Sequence, residues 1–464
     1  NHGGTGNNGG TYSVYTNGHI IGVALDIDNL KVYFYNNGSL AVTSGTTYET
    51  LTAGITYNFA MGTNGSGVMI ANFGQDGTFA GNKTAAGNSD ENGYGNFFHS
   101  VPSGFLAACS KNMEDCAVTP SEEFNVKLYT QTGSTNDGDD VVVATKACDL
   151  IWVKDRGSAS YNNVWMNRLM GGDKYDSTNV AEPEGTMAGG TSAGITYGTD
   201  TFTIGNDANA KGINARAGGE YVAWSWRAGG TTTSGTGDFT QGSIASTCSR
   251  NVAGGFSIVS YTGTGSLGTV GHGLSSTPNL IIVKNRDYAR SWAVQPLISM
   301  DFTDRLLLDT LDAIGDDDGY FNDTAPTATV FTVKDEDNTN RTSDRFMAYC
   351  WHSVEGYSKV GSWIGTGNAD GIFIYTGFRP AFLLCKVTDS GSGTWTLFDS
   401  KRDTYNLVDA HLRMDVANAE TTRTGCDFLS NGIKFRTNDT YIHDERPFLY
   451  IAFAETPFKN ANAR

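Results

Sequence analysis

Asn279-Leu280-Ile281-Ile282-Val283-Lys284 decides how this chain is read, because it occurs three times in recognisable form. Its counterparts are Asp149-Leu150-Ile151-Trp152-Val153-Lys154 and Ala381-Phe382-Leu383-Leu384-Cys385-Lys386. Each is apolar on successive residues up to a terminal lysine. Successive apolar residues predict a strand covered on both faces, whereas a half-buried strand alternates. Upstream of each stands an aromatic with a Gly/Thr turn: Tyr129-Thr130-Gln131-Thr132-Gly133, Tyr261-Thr262-Gly263-Thr264-Gly265 and Trp363-Ile364-Gly365-Thr366-Gly367. Downstream comes a tryptophan (Trp165, Trp292, Trp395), then an aromatic-rich closing strand over 221–226, 346–351 and 448–453. The landmarks keep their order at a period of roughly 100 to 130 residues, too long for a solenoid turn and suited to a small β-sandwich.

Composition agrees with an all-β chain. The 464 residues are 39% hydrophobic, 11% aromatic and 17% charged, with 58 glycines and 9 prolines. That aromatic content excludes a disordered chain, and the aperiodic glycines exclude collagen. Turn clusters such as Asn136-Asp137-Gly138 and Asp318-Gly319 punctuate the apolar runs, and Phe124, Val126 and Leu128 alternate with polar neighbours. Only 409–420 could pass for a helix. The net charge of −17 is spread along the chain, and no Lys/Arg cluster offers a phosphate-binding face, so nucleic acid is not an expected partner. No apolar run reaches the length of a membrane-spanning helix, and no membrane insertion is expected.

Seven cysteines at irregular spacing fit neither a disulfide framework nor a zinc site. Only Cys109 and Cys116 are close enough in sequence to invite a bridge, and assembly in a reducing compartment is the simpler reading. Asn1-His2-Gly3-Gly4 is neither an initiator sequence nor a signal peptide, so the chain reads as a fragment.

The expected organisation is an array of antiparallel β-sandwiches with little helix. It comprises an N-terminal sandwich at 1–117, a first repeat at 118–230, a Gly/Thr/Ser linker at 231–255, a second repeat at 256–356 and a third at 357–464. The glycine-rich linker predicts that the first two repeats fold independently, and the short 352–356 join predicts that the last two pack as a pair.

In the N-terminal module, Gly22-Val23-Ala24-Leu25-Asp26 leads to Tyr33-Phe34-Tyr35-Asn36-Asn37-Gly38 and later to Asn72-Phe73-Gly74. This order, over about residues 11 to 117, resembles a SPRY (concanavalin-like) sandwich that lacks the family's opening strands. The rest resembles tail-fibre and related virion proteins of marine bacteriophages, in which a SPRY-like domain precedes tandem sandwich modules. That likeness rests on Gly263-Thr264-Gly265, Gly271-His272-Gly273-Leu274, Val283-Lys284-Asn285-Arg286 and Val354-Glu355-Gly356-Tyr357-Ser358-Lys359. It continues through Tyr375-Thr376-Gly377-Phe378-Arg379-Pro380 to Ala452-Phe453-Ala454-Glu455-Thr456-Pro457. The resemblance implies a non-enzymatic structural protein of the virion tail, assembled in the host cytoplasm, that attaches to the host surface. Its implied partners are its own copies as a homotrimer, other tail proteins, and a host glycan or outer-membrane receptor. A capsid-decorating protein, a polysaccharide-degrading tailspike and a secreted lectin or adhesin are the alternatives.

Catalytic signatures are missing from the sequence. There is no nucleophile elbow, phosphate loop or dinucleotide fingerprint. His272 in its Gly-His-Gly turn reads as structural, and His352 and His443 have no metal-spaced partner. Asp316-Asp317-Asp318, Asp335-Glu336-Asp337 and the Asp137, Asp139, Asp140 group are the carboxylate candidates, all in turn-like contexts. No cofactor is expected, apart from calcium at Asp316, Asp317 and Asp318. The recurring tryptophans read as core residues, so a ligand would meet loop aromatics that differ between modules: Tyr161, Tyr320 and Phe321.

Overall fold

The computed structural model describes the chain apart from residues 1–10, 54–56, 58, 60, 63–66, 132–140, 145–147, 188–193, 206–212, 214–215, 217, 230–235, 240, 297–302, 390, 392 and 462–464. Strand accounts for 41% of the chain and helix for 4%, and the strand pairs are antiparallel. The chain divides into two compact units, Asn1–Asp115 and Cys116–Arg464.

In the first unit, Ile21–Asp26 pairs with Lys31–Asn36, which also pairs with Ser39–Leu40 and Glu49–Thr50. A second, two-stranded sheet joins Thr11–Tyr12 to Val42–Ser44. Asn72-Phe73-Gly74 forms a side-chain turn in which the Gly74 amide donates to Asn72 Oδ1 at 2.8 Å. Gly74 sits at φ +105°, where a β-carbon would meet Gly95 Cα at 3.0 Å. The buried apolar residues described here are Ala24, Ala41 and Ala107, while Ile21, Val23 and Leu40 are exposed. The two sheets touch where the Tyr12 ring meets Phe34 at 5.9 Å and its hydroxyl donates to Glu49 at 2.6 Å.

The second unit builds the same sheet three times. In repeat 1 the order is opening strand Phe124–Thr130, closing strand Glu220–Trp226, lysine strand Leu150–Asp155, companion strand Val164–Asn167 and outer strand Lys174–Ser177. Repeat 2 runs Phe256–Thr262, Arg345–Trp351, Leu280–Asn285, Ala293–Pro296, Asp304–Leu307 in the same order. Repeat 3 runs Ser358–Ile364, Pro447–Pro457, Phe378–Val387, Thr396–Asp399, Val408–Arg413. The registers also agree. Leu150, Leu280 and Phe382 stand opposite Trp226, Trp351 and Phe453.

Each large sheet is apolar on both faces because it serves two cores. One face covers a core private to its repeat, with Ile151 and Val153, Ile281 and Val283, or Leu383 and Cys385. The other face meets the other two repeats in one shared core. That core takes Trp152 and Trp224 from repeat 1, Ile282 and Tyr349 from repeat 2, and Leu384 and Ile451 from repeat 3. The expected independent modules are therefore corrected to one body with a common centre. Of the linker expected at 231–255, residues 231–235 and 240 lie outside the described residues, and the remainder is corrected. Thr236–Phe239 and Ser246–Asn251 are strands that extend the sheet of repeat 2. Residues 409–420 are not a helix, since Val408–Arg413 fills the outer-strand place of repeat 3, where the sheet overrides local preference.

Candidate functional site

Three buried ammonium groups lie where the repeats meet. Lys154, Lys284 and Lys386 are fully buried, each one residue before the end of its strand. The Lys154 ammonium donates to the Tyr161 carbonyl at 3.0 Å and to Ala417 of repeat 3 at 3.3 Å. Lys386 donates to Gly393 at 2.6 Å and to Thr310 of repeat 2 at 3.2 Å. Lys284 donates to Arg290 at 2.7 Å and feels the charge of Asp176 in repeat 1. Burial pushes Lys154 and Lys386 down to about 8. Desolvation disfavours an ammonium, and the carbonyls around it recover part of the cost.

The junctions close as a ring. Two residues beyond each lysine, the carbonyls of Arg156, Arg286 and Thr388 accept from the amides of Glu420, Glu184 and Ile314, each at 2.8 Å. Repeat 3 thus donates to repeat 1, repeat 1 to repeat 2, and repeat 2 to repeat 3. A parallel set of side-chain donors runs the other way round. Trp292 Nε1 reaches Ser177 O at 3.0 Å, Trp395 Nε1 reaches Leu307 O at 2.9 Å, and Asn163 Nδ2 reaches Met414 O at 2.9 Å.

Register explains the asparagine. Val164, Ala293 and Thr396 oppose Val153, Val283 and Cys385, so the residue before each is Asn163, Trp292 or Trp395. Trp165 is therefore not the counterpart of the other two tryptophans. It stands two residues further along, and its Nε1 has no hydrogen-bond partner among the described residues.

Two junctions add the same ion pair. Arg286 meets Glu184 at 2.5 Å with both side chains under 10% exposed, and Arg156 meets Glu420 at 2.8 Å. The third junction has Thr388 and Ile314 in those places. Glu420 also receives Arg402, which pairs with Asp399 at 2.6 Å, and Trp224 Nε1 of repeat 1 donates to Asp399 Oδ2 at 3.1 Å. Glu420→Gln is expected to lower the unfolding free energy by about 1 to 3 kcal/mol in urea titration, since two charge-assisted partners lose their counter-charge. The isosteric Thr388→Val at the uncharged junction should cost less.

The expected ligand aromatics are placed otherwise. Tyr320 and Phe321 are buried in the private core of repeat 2, 6% and 2% exposed. They belong to the short helix Asp318–Phe321, which turns them inward. Tyr161 is half-buried, and its carbonyl holds Lys154. Of the expected calcium ligands, Asp317 caps that helix by accepting from the Gly319 amide at 3.0 Å. Asp318 pairs with Lys334 at 2.5 Å, and Asp316 sits in an edge strand. Their carboxylates serve capping and pairing, and no group of three potential metal ligands occurs among the described residues. Asp137, Asp139 and Asp140 lie outside the described residues.

His272 is buried, with Nε2 near Thr327 O at 3.1 Å and Nδ1 accepting from the Leu274 amide at 3.2 Å. Burial brings it down to about 4, so it is a neutral structural group. Trp292 and Trp395 are core residues, 0% and 2% exposed.

The exposed aromatics are others. Tyr405 is 76% exposed in the loop after Asp399. Tyr288 is 42% exposed between Arg290 and Arg341, whose guanidinium carbons lie 4.6 and 3.9 Å from its ring centroid. The sequence signal for both was an aromatic residue isolated in a polar run.

Fold and junctions together define an all-β protein whose principal unit is a ring of three like sheets around one core. Residues 119–457 match the family described as a domain of unknown function (DUF7483), and the chain belongs to that family. The match covers all three repeats as one unit, as the shared core does. No curated protein matches the chain.

Proposed function

We propose that the chain is a non-enzymatic bacteriophage virion protein, a tail-fibre or receptor-binding component that attaches the particle to its host. The observation that carries this reading is the shared core. Three repeats welded at one centre hold their outer loops at fixed spacing, so weak contacts act together without a further ordering cost. The resemblance to phage tail modules supports the same reading. Tyr405 and the Arg-flanked Tyr288 are the contact residues, because aromatic faces suit the apolar faces of a host glycan. Homotrimer assembly alongside other tail proteins belongs to this proposal. Its threefold would be distinct from the internal one, whose faces are already buried.

Gold-labelled antibodies against the chain, viewed on intact virions by electron microscopy, test the proposal. Label along or at the tips of tail appendages is the expected result. Label over the capsid would replace attachment with a decorating role. Bare virions beside labelled cell surfaces would remove the viral reading.

A further inference from the structure

Repeat 2 contains a seam that its own chain fills. The seam lies between the opening strand Phe256–Thr262 and the short strand Gly268–Gly271. Into it runs the stretch that precedes the repeat. Ser246–Asn251 pairs along the opening strand, and Gly242 and Ile244 bridge to Val270 on the other side. The Ile244 amide donates to Thr269 O at 2.9 Å, and Ser246 Oγ to Gly271 O at 3.2 Å. Ile244 and Cys248 enter the private core beneath.

Repeat 3 has the same seam between Ser358–Ile364 and Phe373–Tyr375. The correspondence follows from register. Val270 opposes Phe331, Ile374 opposes Ile433, and both Val270 and Ile374 are buried in their private cores. Residues 353–354 take the seam beside Ser358–Val360, and no described segment occupies it beside Gly361–Ile364. Residues 352–357, which join repeats 2 and 3, fold into a turn closed by the Val354 and Ser358 amides and are too short to double back.

The opening strand of repeat 3 faces the seam with a ladder that its own turn fills only as far as Val360. Tyr357 O accepts from Ala454 and the Gly365 amide donates to Arg446, so odd residues pair toward the closing strand. The Ser358 amide bonds Val354 O and the Val360 amide bonds Ser353 Oγ, so even residues point into the seam. By that alternation the Ser362 and Ile364 amides face the seam without a described partner. Lys359 Nζ donates to Tyr375 O at 2.8 Å, taking the place that Ser246 holds in repeat 2.

Side chains along the two seams differ in kind. Where the filled seam carries Thr262, Thr269 and Gly271, the open one carries Ile364, Phe373 and Tyr375, exposed by 72%, 45% and 46%. Apolar side chains gathered at an open strand edge mark a binding surface, because each is costly in water and the edge is a template for pairing.

We propose that the seam of repeat 3 is a docking slot for an extended strand of a partner protein, which pairs antiparallel with Gly361–Ile364 as Ser246–Cys248 pairs with Val259–Tyr261. The occupant's chemistry is read from repeat 2: a β-branched side chain directed at Ile374, then small hydroxyl residues, one of which displaces Lys359 from Tyr375 O. Backbone pairing supplies affinity and the inward side chain supplies selection, as in other strand additions. The inference stands apart from the attachment reading, since it needs only a partner strand.

The test uses the whole chain and a fluorescein-labelled peptide with the sequence of residues 242–248, serine replacing Cys248. Fluorescence anisotropy should show saturable binding of one peptide per chain, with a scrambled peptide at least tenfold weaker. Ser362→Pro, which removes an amide facing the seam, should abolish binding, whereas Ser362→Ala should retain it. In the wild type, hydrogen exchange at Ser362 and Ile364 should slow on binding, a readout independent of how well the proline variant folds. Absence of saturable binding, equal binding of the scrambled peptide, or unchanged exchange at those two amides would overturn the proposal.

Discussion

Replacing Trp395 with alanine should lower the stability of the Cys116–Arg464 unit by about 3 to 5 kcal/mol, read as a drop in urea midpoint at constant slope. The indole is 2% exposed and lines a cavity of about 30 Å³ where the repeats converge, among Trp152, Trp226, Trp351, Phe382 and Phe453. Removing it enlarges that void and leaves Leu307 O without its donor from the neighbouring repeat. Trp292→Ala should behave alike, since its donor to Ser177 is the counterpart at another junction. Tyr405→Ala, on the exposed loop, should change stability by less than about 0.5 kcal/mol. A common core also makes unfolding cooperative across repeats. One transition should be lost as a whole in Trp395→Ala, and separate melting of repeat 3 with the other two unaffected would contradict the shared centre.

The second large effect concerns a carboxyl placed where symmetry puts leucine. Asp176, Leu306 and Leu412 hold the same register on the three outer strands, opposite Trp165, Val294 and Leu397. Leu306 and Leu412 belong to the shared core. Asp176 is fully buried, and neither oxygen has a hydrogen-bond partner among the described residues. Burial raises it to about 7, opposed by Lys284, Arg286 and Arg345 of repeat 2 and reinforced by Glu184. Tyr349, from the closing strand of repeat 2, feels the same carboxyl.

A carboxyl raised on folding binds its proton more tightly in the native state. Its contribution is therefore complete below the unfolded value near 4 and is lost as pH rises through about 7. Asp176→Leu should stabilise the protein, with an advantage about 3 kcal/mol larger at pH 8 than at pH 5. Urea titrations of both proteins at the two pH values give the difference directly. An advantage independent of pH would show that the carboxyl stays ionised, held by Lys284 and Arg286.

The repeats were legible because they depend on local order. Apolar strands on successive residues, aromatic closing strands and their spacing are properties of the chain itself, and the antiparallel all-β fold follows from them. The double covering of the lysine strands was legible too, but what covered the second face was not. A run such as Leu280-Ile281-Ile282-Val283 states that both faces are dry, and two separate sandwiches satisfy that as well as one common core. Only the tertiary structure shows that the second face meets the other repeats.

The candidate residues failed for a related reason. Tyr320 and Phe321 follow an acidic turn and look like a loop tip, yet one helical turn directs both rings into the core, which no local pattern reports. The buried lysines were hidden by their charge, since an ammonium at a strand end ordinarily marks the edge of burial. Composition, repeat order and strand class were determined by the sequence alone, because backbone pairing and side-chain alternation are short-range. The shared centre, the ring of junction hydrogen bonds, the misplaced Trp165 and the open seam of repeat 3 were decided by tertiary structure. Each depends on which residues from distant repeats meet, and those meetings are not written in the pattern of any one strand.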